Sequence, residues 1–197
     1  WLPGEALAAV DLPAMQDFAP HFPAAWLTPL RNAIAFAHIT PERLPMFLAQ
    51  LAHESDGFVT LEEYASGAAY EGRDDLGNTQ PGDGVRFKGR GPIQITGRAN
   101  YTRYGKLLGR DLTSAPEQAA EPNTAFALAA LYWTDRNLNA RIDADDFEGL
   151  TRIINGGLNG LDDRRDWLDK AQSLFPRGGG LLRRRPLRTR RWSPRRS

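Results

Sequence analysis

The chain has 197 residues, 41% of them apolar and 25% charged, and it contains no cysteine. That is the balance of a soluble globular domain long enough to bury a sizeable core, and it excludes disulfides and thiolate chemistry. The formal net charge of +1 conceals an asymmetry: nine of the 25 basic residues, all arginine, fall in residues 176–197, which hold no acid. Residues 1–175 therefore carry 16 basic against 24 acidic side chains, a net of −8. One domain is expected over 1–175, followed by an Arg-rich, disordered tail over 176–197. No apolar run approaches the roughly 20 residues that span a bilayer. Trp1-Leu2-Pro3-Gly4-Glu5 has neither a basic segment nor an apolar one, so no secretory signal is read there.

In chain order, Thr28-Pro29 reads as a helix start with Leu30, Ile34 and Ala37 facing inward. Thr40-Pro41 predicts a second helix, a capping hydroxyl followed by a proline whose missing N–H costs nothing in the first turn. Along it Leu44, Phe47, Leu51 and Glu54 follow one another at helical spacing, so Glu54 prolongs an apolar stripe at the helix's C-terminal end, before Gly57. From Gly67 to Gly91 the chain turns rich in Gly, Asp, Asn and Arg, predicting a long ordered loop. A short hairpin is expected through Leu61–Tyr64 and Phe87–Ile95, with Ile93 and Ile95 alternating about Gln94 as a brief strand. Helices follow over about Asn100–Leu108, from Pro122-Asn123-Thr124 through Phe126, Ala129, Ala130 and Trp133, and after Asp145 or Asp146 through Phe147, Leu150, Ile153 and Ile154 to Asn155-Gly156-Gly157. The last runs from about Asp162 to Phe175, with Trp167, Leu168, Ala171 and Leu174 inward. The fold class is mainly α, with a small extended element beside the segment that follows Glu54.

Two glutamates nine positions apart, Glu54 and Glu63, stand upstream of Gly89-Arg90-Gly91-Pro92-Ile93-Gln94-Ile95-Thr96. Two carboxylates beside a polar groove are the minimum equipment for hydrolysing a glycosidic bond. Partial burial and the negative end of a helix both disfavour the Glu54 anion, which suits a general acid. The alternative role for Glu54 is a structural carboxylate paired with an arginine. Glu62 is an equal candidate to Glu63 by composition, and alternation lets only one of the two face the cleft. Asn155-Gly156-Gly157 is either a plain helix cap or a site where backbone approaches a sugar. Gln94, Thr96 and Asn100 offer hydrogen bonds, and Tyr70, Tyr101 and Tyr104 offer rings for stacking, each with packing as the competing role. His53-Glu54 lacks the second histidine of a zinc-protease helix. His21, His38 and His53 show no metal-ligand spacing. The segment Gly84–Arg90 lacks the Lys-Ser/Thr ending of a phosphate loop, and no Gly-x-Ser-x-Gly turn occurs.

Ala52-His53-Glu54-Ser55, Glu63, Asp75–Gly84, Phe87–Tyr101 and Ile154-Asn155-Gly156-Gly157 together resemble glycoside hydrolase family 19, in its bacteriophage-type endolysin branch, over roughly residues 5–175. The resemblance implies a lysozyme-like, two-lobed, mainly α domain with a deep cleft. It assigns Glu54 as general acid, Glu63 rather than Glu62 as the base that activates water, and Thr96 as the hydroxyl that holds this water. It places Gln94, Asn100, Tyr101, Asn155 and Tyr70 along the substrate cleft and requires no metal or cofactor. Asp56 departs from the small residue frequent there. The expected activity is inverting hydrolysis of the β-1,4 bond between N-acetylmuramic acid and N-acetylglucosamine in peptidoglycan. The alternatives are a chitinase and a non-catalytic wall-binding module. The expected partner is the peptidoglycan glycan strand, met by a monomer made in a host cytoplasm and released to the wall, with no specific nucleic acid. The cationic tail is expected to touch an anionic envelope.

Overall fold

The computed structural model describes residues 3–176. The arginines of the expected tail, with its envelope contact, lie outside the described residues. Ten α-helices make up the described chain: α1 (Pro3–Ala9), α2 (Leu12–Phe18), α3 (Leu27–Phe36), α4 (Leu44–Glu54), α5 (Asp83–Arg86), α6 (Arg98–Leu108), α7 (Pro122–Asp135), α8 (Asn139–Asp143), α9 (Phe147–Asn155) and α10 (Leu161–Leu174). Short 3-10 turns fill in between, notably Ala68–Tyr70 and Asp74–Leu76.

α4 is the central element. Every residue from Leu44 to Ala52 is buried, including the lone polar Gln50, so the helix is wrapped on all sides. It starts three residues later than Thr40-Pro41 predicts. Thr40 instead closes a turn, its carbonyl accepting from the N–H groups of Arg43 and Leu44, and Pro45 takes the first-turn position where a missing N–H is harmless. α10 packs along α4 more extensively than any other pair of elements, and α3 packs on α7. α7 is alanine-rich and apolar nearly all round, with Ala125, Phe126, Leu128, Ala129, Ala130 and Trp133 all buried, as expected of a helix inside a core. Phe47 meets Trp133 edge to face at 4.8 Å. Phe18, Phe22, Phe58 and Phe126 form a second aromatic group, Phe58 stacking on Phe126 at 6.4 Å.

The expected hairpin and strand do not form among the described residues. Glu62 and Arg90, and Arg90 and Ile95, make two isolated antiparallel bridges. Gly91-Pro92-Ile93-Gln94 is a tight turn closed by Gln94 N–H to the Gly91 carbonyl at 3.0 Å. Gln94 has φ +54°, which strand geometry forbids. Ile93 and Ile95 are both buried, so their alternation reflects a turn flanked by core anchors.

The Gly67–Gly91 loop is ordered by polar cross-links. Asp83, 1% exposed, holds Arg98 at 2.5 and 2.8 Å, and the guanidinium keeps its carboxyl below the usual carboxylate range. Buried Asn78 donates to the Tyr70 carbonyl and accepts from the Arg98 N–H. Glu71 accepts from the Gly82 and Gly84 amides. The motif stretch Asp75–Gly84 therefore serves as scaffold.

Candidate active site

Glu54 is the last residue of α4, and the turn beyond it is fixed locally. Buried Ser55 donates its hydroxyl to the Leu51 carbonyl at 2.6 Å and accepts from the Phe58 N–H at 3.1 Å. Asp56 and Phe58 take left-handed backbone, φ +52° and +62°, which costs energy for non-glycine residues. Phe58 repays it by burying its ring among Phe18, Phe22 and Phe126.

Glu54 is not an isolated acid. Its Oε1 is paired with the guanidinium of Arg164 from α10, a side chain with no solvent exposure. The same guanidinium donates to Gln50 Oε1 at 2.5 Å, Gln50 Nε2 donates to Thr151 Oγ1 at 2.9 Å, and Thr151 donates to the Phe147 carbonyl. Gln50 and Thr151 are fully buried too. One chain of hydrogen bonds thus joins α4, α10 and α9 behind Glu54. The arginine-paired role and the position at a cleft coexist in one residue. Beside it, His53 Nδ1 lies 2.6 Å from Asp163, and Gly160 leaves no room for a Cβ against the imidazole.

Glu62 and Glu63 part as alternation requires. Glu62 pairs with Lys88 at 3.0 Å and Arg90 at 3.2 Å, and these cations, Lys88 first, hold its carboxyl below the ordinary range. Glu63 turns into a cleft of about 510 Å³ that Glu54 also lines. Its Oε2 accepts from the Tyr70 hydroxyl at 3.1 Å, while its buried Oε1 meets no donor among the described residues. Gln94 lines the same cleft. A Cβ on Gly89 would lie 2.5 Å from Gln94 Oε1 and 2.7 Å from Glu63 Oε2, so the missing side chain makes room for both.

Other expected residues sit elsewhere. Thr96 does not line the cleft; its hydroxyl donates to the Gln94 carbonyl. Asn100 donates to the Thr96 carbonyl across the first turn of α6. Tyr101 is fully buried, donating to the Lys88 carbonyl and accepting from Arg90, and burial pushes its phenol up to about 12. Tyr104 is also fully buried. Neither ring is open to a sugar. Asn155 is exposed at the end of α9, where Gly156 at φ +79° makes the left-handed cap, and it does not line this cleft. Tyr70 holds Glu63 through its hydroxyl.

Sequence reasoning missed Arg164, Gln50 and Thr151. A signal existed for the first: Leu161, Arg164, Leu168 and Ala171 share a 3-4-3 helical spacing, placing a cation on an apolar stripe. It also missed Tyr64 and Trp167, the aromatic residues that line the cleft.

Residues 37–146 match the family model of glycoside hydrolase family 19, described as chitinase class I. The chain belongs to glycoside hydrolase family 19. It is 34% identical over 151 residues to a family 19 domain-containing protein of Haemophilus influenzae, covering 60% of this chain and 73% of that one. Against an endochitinase of Arabidopsis thaliana identity is 39% over 121 residues, 60% of this chain and 41% of the plant protein. The chain thus spans about two fifths of that plant relative. Chitinase C from Streptomyces griseus shares the fold at a TM-score of 0.72 and 23% identity, covering 88% of this chain and 96% of that one. A class IV chitinase of Zea mays does so at 0.63 and 22%, covering 83% and 86%. The protein is a glycoside hydrolase with a mainly helical family 19 fold.

Two outcomes follow from the site. Arg164→Met removes the cation while Gln50 and Glu54 stay in place, and thermal unfolding should show a loss of about 3 kcal/mol. Gly89→Ala needs no backbone strain, since Gly89 has no positive φ. It should leave the melting temperature nearly unchanged yet lower glycosidase turnover by about 10²-fold through misplacement of Glu63 and Gln94.

Proposed function

We propose that this enzyme hydrolyses a β-1,4 bond beside an N-acetylglucosamine unit, with inversion, and that its polymer is peptidoglycan. The observation that carries the chemistry is the shared cleft: Glu54 lines it beside its buried arginine, and Glu63 lines it with a carboxylate that the Tyr70 hydroxyl orients. A carboxylate held at such a cleft can accept a proton from water. Glu54 gives its proton to the glycosidic oxygen as the bond from the anomeric carbon breaks. Water adds to that carbon from the opposite face and passes a proton to Glu63, which Tyr70 orients from Oε2. Inversion calls for a carboxyl separation of roughly 6.5–9.5 Å to admit this water. Gln94 supplies hydrogen bonds to the substrate from the same cleft. Thr96 is left a secondary role, since its hydroxyl is committed to the Gln94 carbonyl.

Support for peptidoglycan, and for a lytic enzyme of the phage endolysin type, comes from the nine-residue spacing of Glu54 and Glu63 and the lack of cysteine. Chitin is the second reading, favoured by the chitinases among the relatives. Both polymers carry β-1,4-linked N-acetylglucosamine.

Purified peptidoglycan and chitin, digested in parallel and followed by mass spectrometry, separate these readings. New muramic-acid reducing ends are expected, with Glu54→Gln slower by about 10²-fold or more. Chito-oligosaccharides alone would transfer the enzyme to chitin, and wild-type activity in Glu54→Gln would refute the acid assignment.

A further inference from the structure

The aromatic residues open to the cleft are Tyr64 and Trp167, and both are placed as a sugar-binding wall requires. Tyr64 is 76% exposed, yet its ring is not adrift: the hydroxyl donates to Asp56 Oδ2 at 2.9 Å. Asp56 itself stands in left-handed backbone two residues beyond Glu54, so the phenol is tied to the turn that carries Glu54. Trp167 packs edge to face against Phe18 at 5.2 Å, with Lys170 over its ring at 5.5 Å. Gly57 completes the seating, since a Cβ there would fall 3.1 Å from two indole carbons.

A single exposed aromatic residue is ordinary on a protein surface. Two that line the cleft holding Glu54 and Glu63, each touching the turn beyond Glu54, are a different matter. A pyranose presents an apolar face of C–H groups ringed by hydroxyls. Aromatic rings with a polar tip match that pattern, taking the apolar face against carbon while the tip stays wet. Rings already held in place lose little entropy on binding.

The geometry points to Tyr64 and Trp167 as a saccharide subsite on the Glu54 side of the cleft, taking an N-acetylhexosamine ring next to the scissile bond. This rests on the two-glutamate reading and adds the residues that grip the sugar. It also corrects which rings do so: Tyr101 and Tyr104, both on α6, are sealed in the core. The carboxylate of Asp56 acts as a positioning group, orienting Tyr64.

The test is steady-state kinetics on whichever soluble substrate the wild-type chain cleaves, chitohexaose or peptide-free glycan strands. Tyr64→Ala alters an exposed side chain and should leave the melting temperature unchanged. It should raise KM about five- to tenfold while kcat stays within twofold. Tyr64→Phe keeps the ring and should restore most of the lost affinity. Trp167→Ala should raise KM in the same way, and Trp167→Leu, which removes the ring but keeps apolar bulk against Phe18, covers the case in which the alanine variant unfolds. Wild-type KM in Tyr64→Ala or in Trp167→Leu, or a fall in kcat matched by a fall in melting temperature, overturns the subsite. An active Glu54→Gln variant brings down the two-glutamate reading instead. A wild-type chain that neither cleaves nor binds either substrate brings down both.

Discussion

The arginine at position 164 has no exposure to solvent, and the cleft is arranged around that fact. A guanidinium taken out of water must be met by hydrogen-bond acceptors or it costs several kcal/mol. Two acceptors come from α4, one turn apart: Gln50 and Glu54. Gln50 is passed on to Thr151 of α9. The most closely packed helix pair of the fold, α4 with α10, is therefore held in register by a polar contact inside an apolar interface. Register of that kind is a well-attested use of buried polar groups, since slippage by one turn would strand a charge. Glu54 gains a fixed position at the cleft as a by-product of satisfying Arg164.

The opposite side of the cleft is built by other means. Glu63 is placed by backbone, its N–H donating to the Gly89 carbonyl at 3.0 Å, and by Tyr70 from the loop. The bulk of the glycine-rich motif lies behind this contact. Arg90, 7% exposed, ties Glu62, Tyr101 and the Arg86 carbonyl together, and Asp83 with Arg98 pins the loop from below. One carboxylate is thus set by a buried ion pair and the other by a cross-linked loop. The two supports differ in kind, and the two sides meet where the Tyr64 hydroxyl donates to Asp56 in the turn beyond Glu54.

Much of this fold was legible from spacing. The helices carrying Leu30 and Ile34, Phe126 and Trp133, and Phe147 and Leu150 lie where apolar periodicity places them, and Asp146 caps α9 by accepting from Gly149. α4 ends at Glu54 as expected, because Ser55 and Gly57 close the turn. The failures have physical reasons. Ile93 and Ile95 mimic strand alternation across a turn whose left-handed Gln94 no pattern of hydrophobicity reveals. Tyr101 and Tyr104 look like sugar platforms by type, but type does not distinguish a ring facing solvent from one facing the core, and both are buried. Arg164 is hidden in the charged run Asp162-Asp163-Arg164-Arg165-Asp166, where composition suggests a solvated face. The distinction between Glu62 and Glu63 depends on Lys88 and Arg90, some 25 residues downstream, and local spacing carries no such information.

A cleft lined by Glu54, fixed by Arg164, and by Glu63, oriented by Tyr70, is the arrangement from which we propose single-displacement hydrolysis. Its most direct test is the configuration of the first product. Proton NMR of the anomeric region, followed from the start of digestion before mutarotation equalises the signals, reports which face of the sugar received the water. The α-anomer should appear first from the β-linked substrate. Initial release of the β-anomer would mean that the second carboxylate attacks the sugar itself, and would contradict the role of Glu63 as the base that activates water.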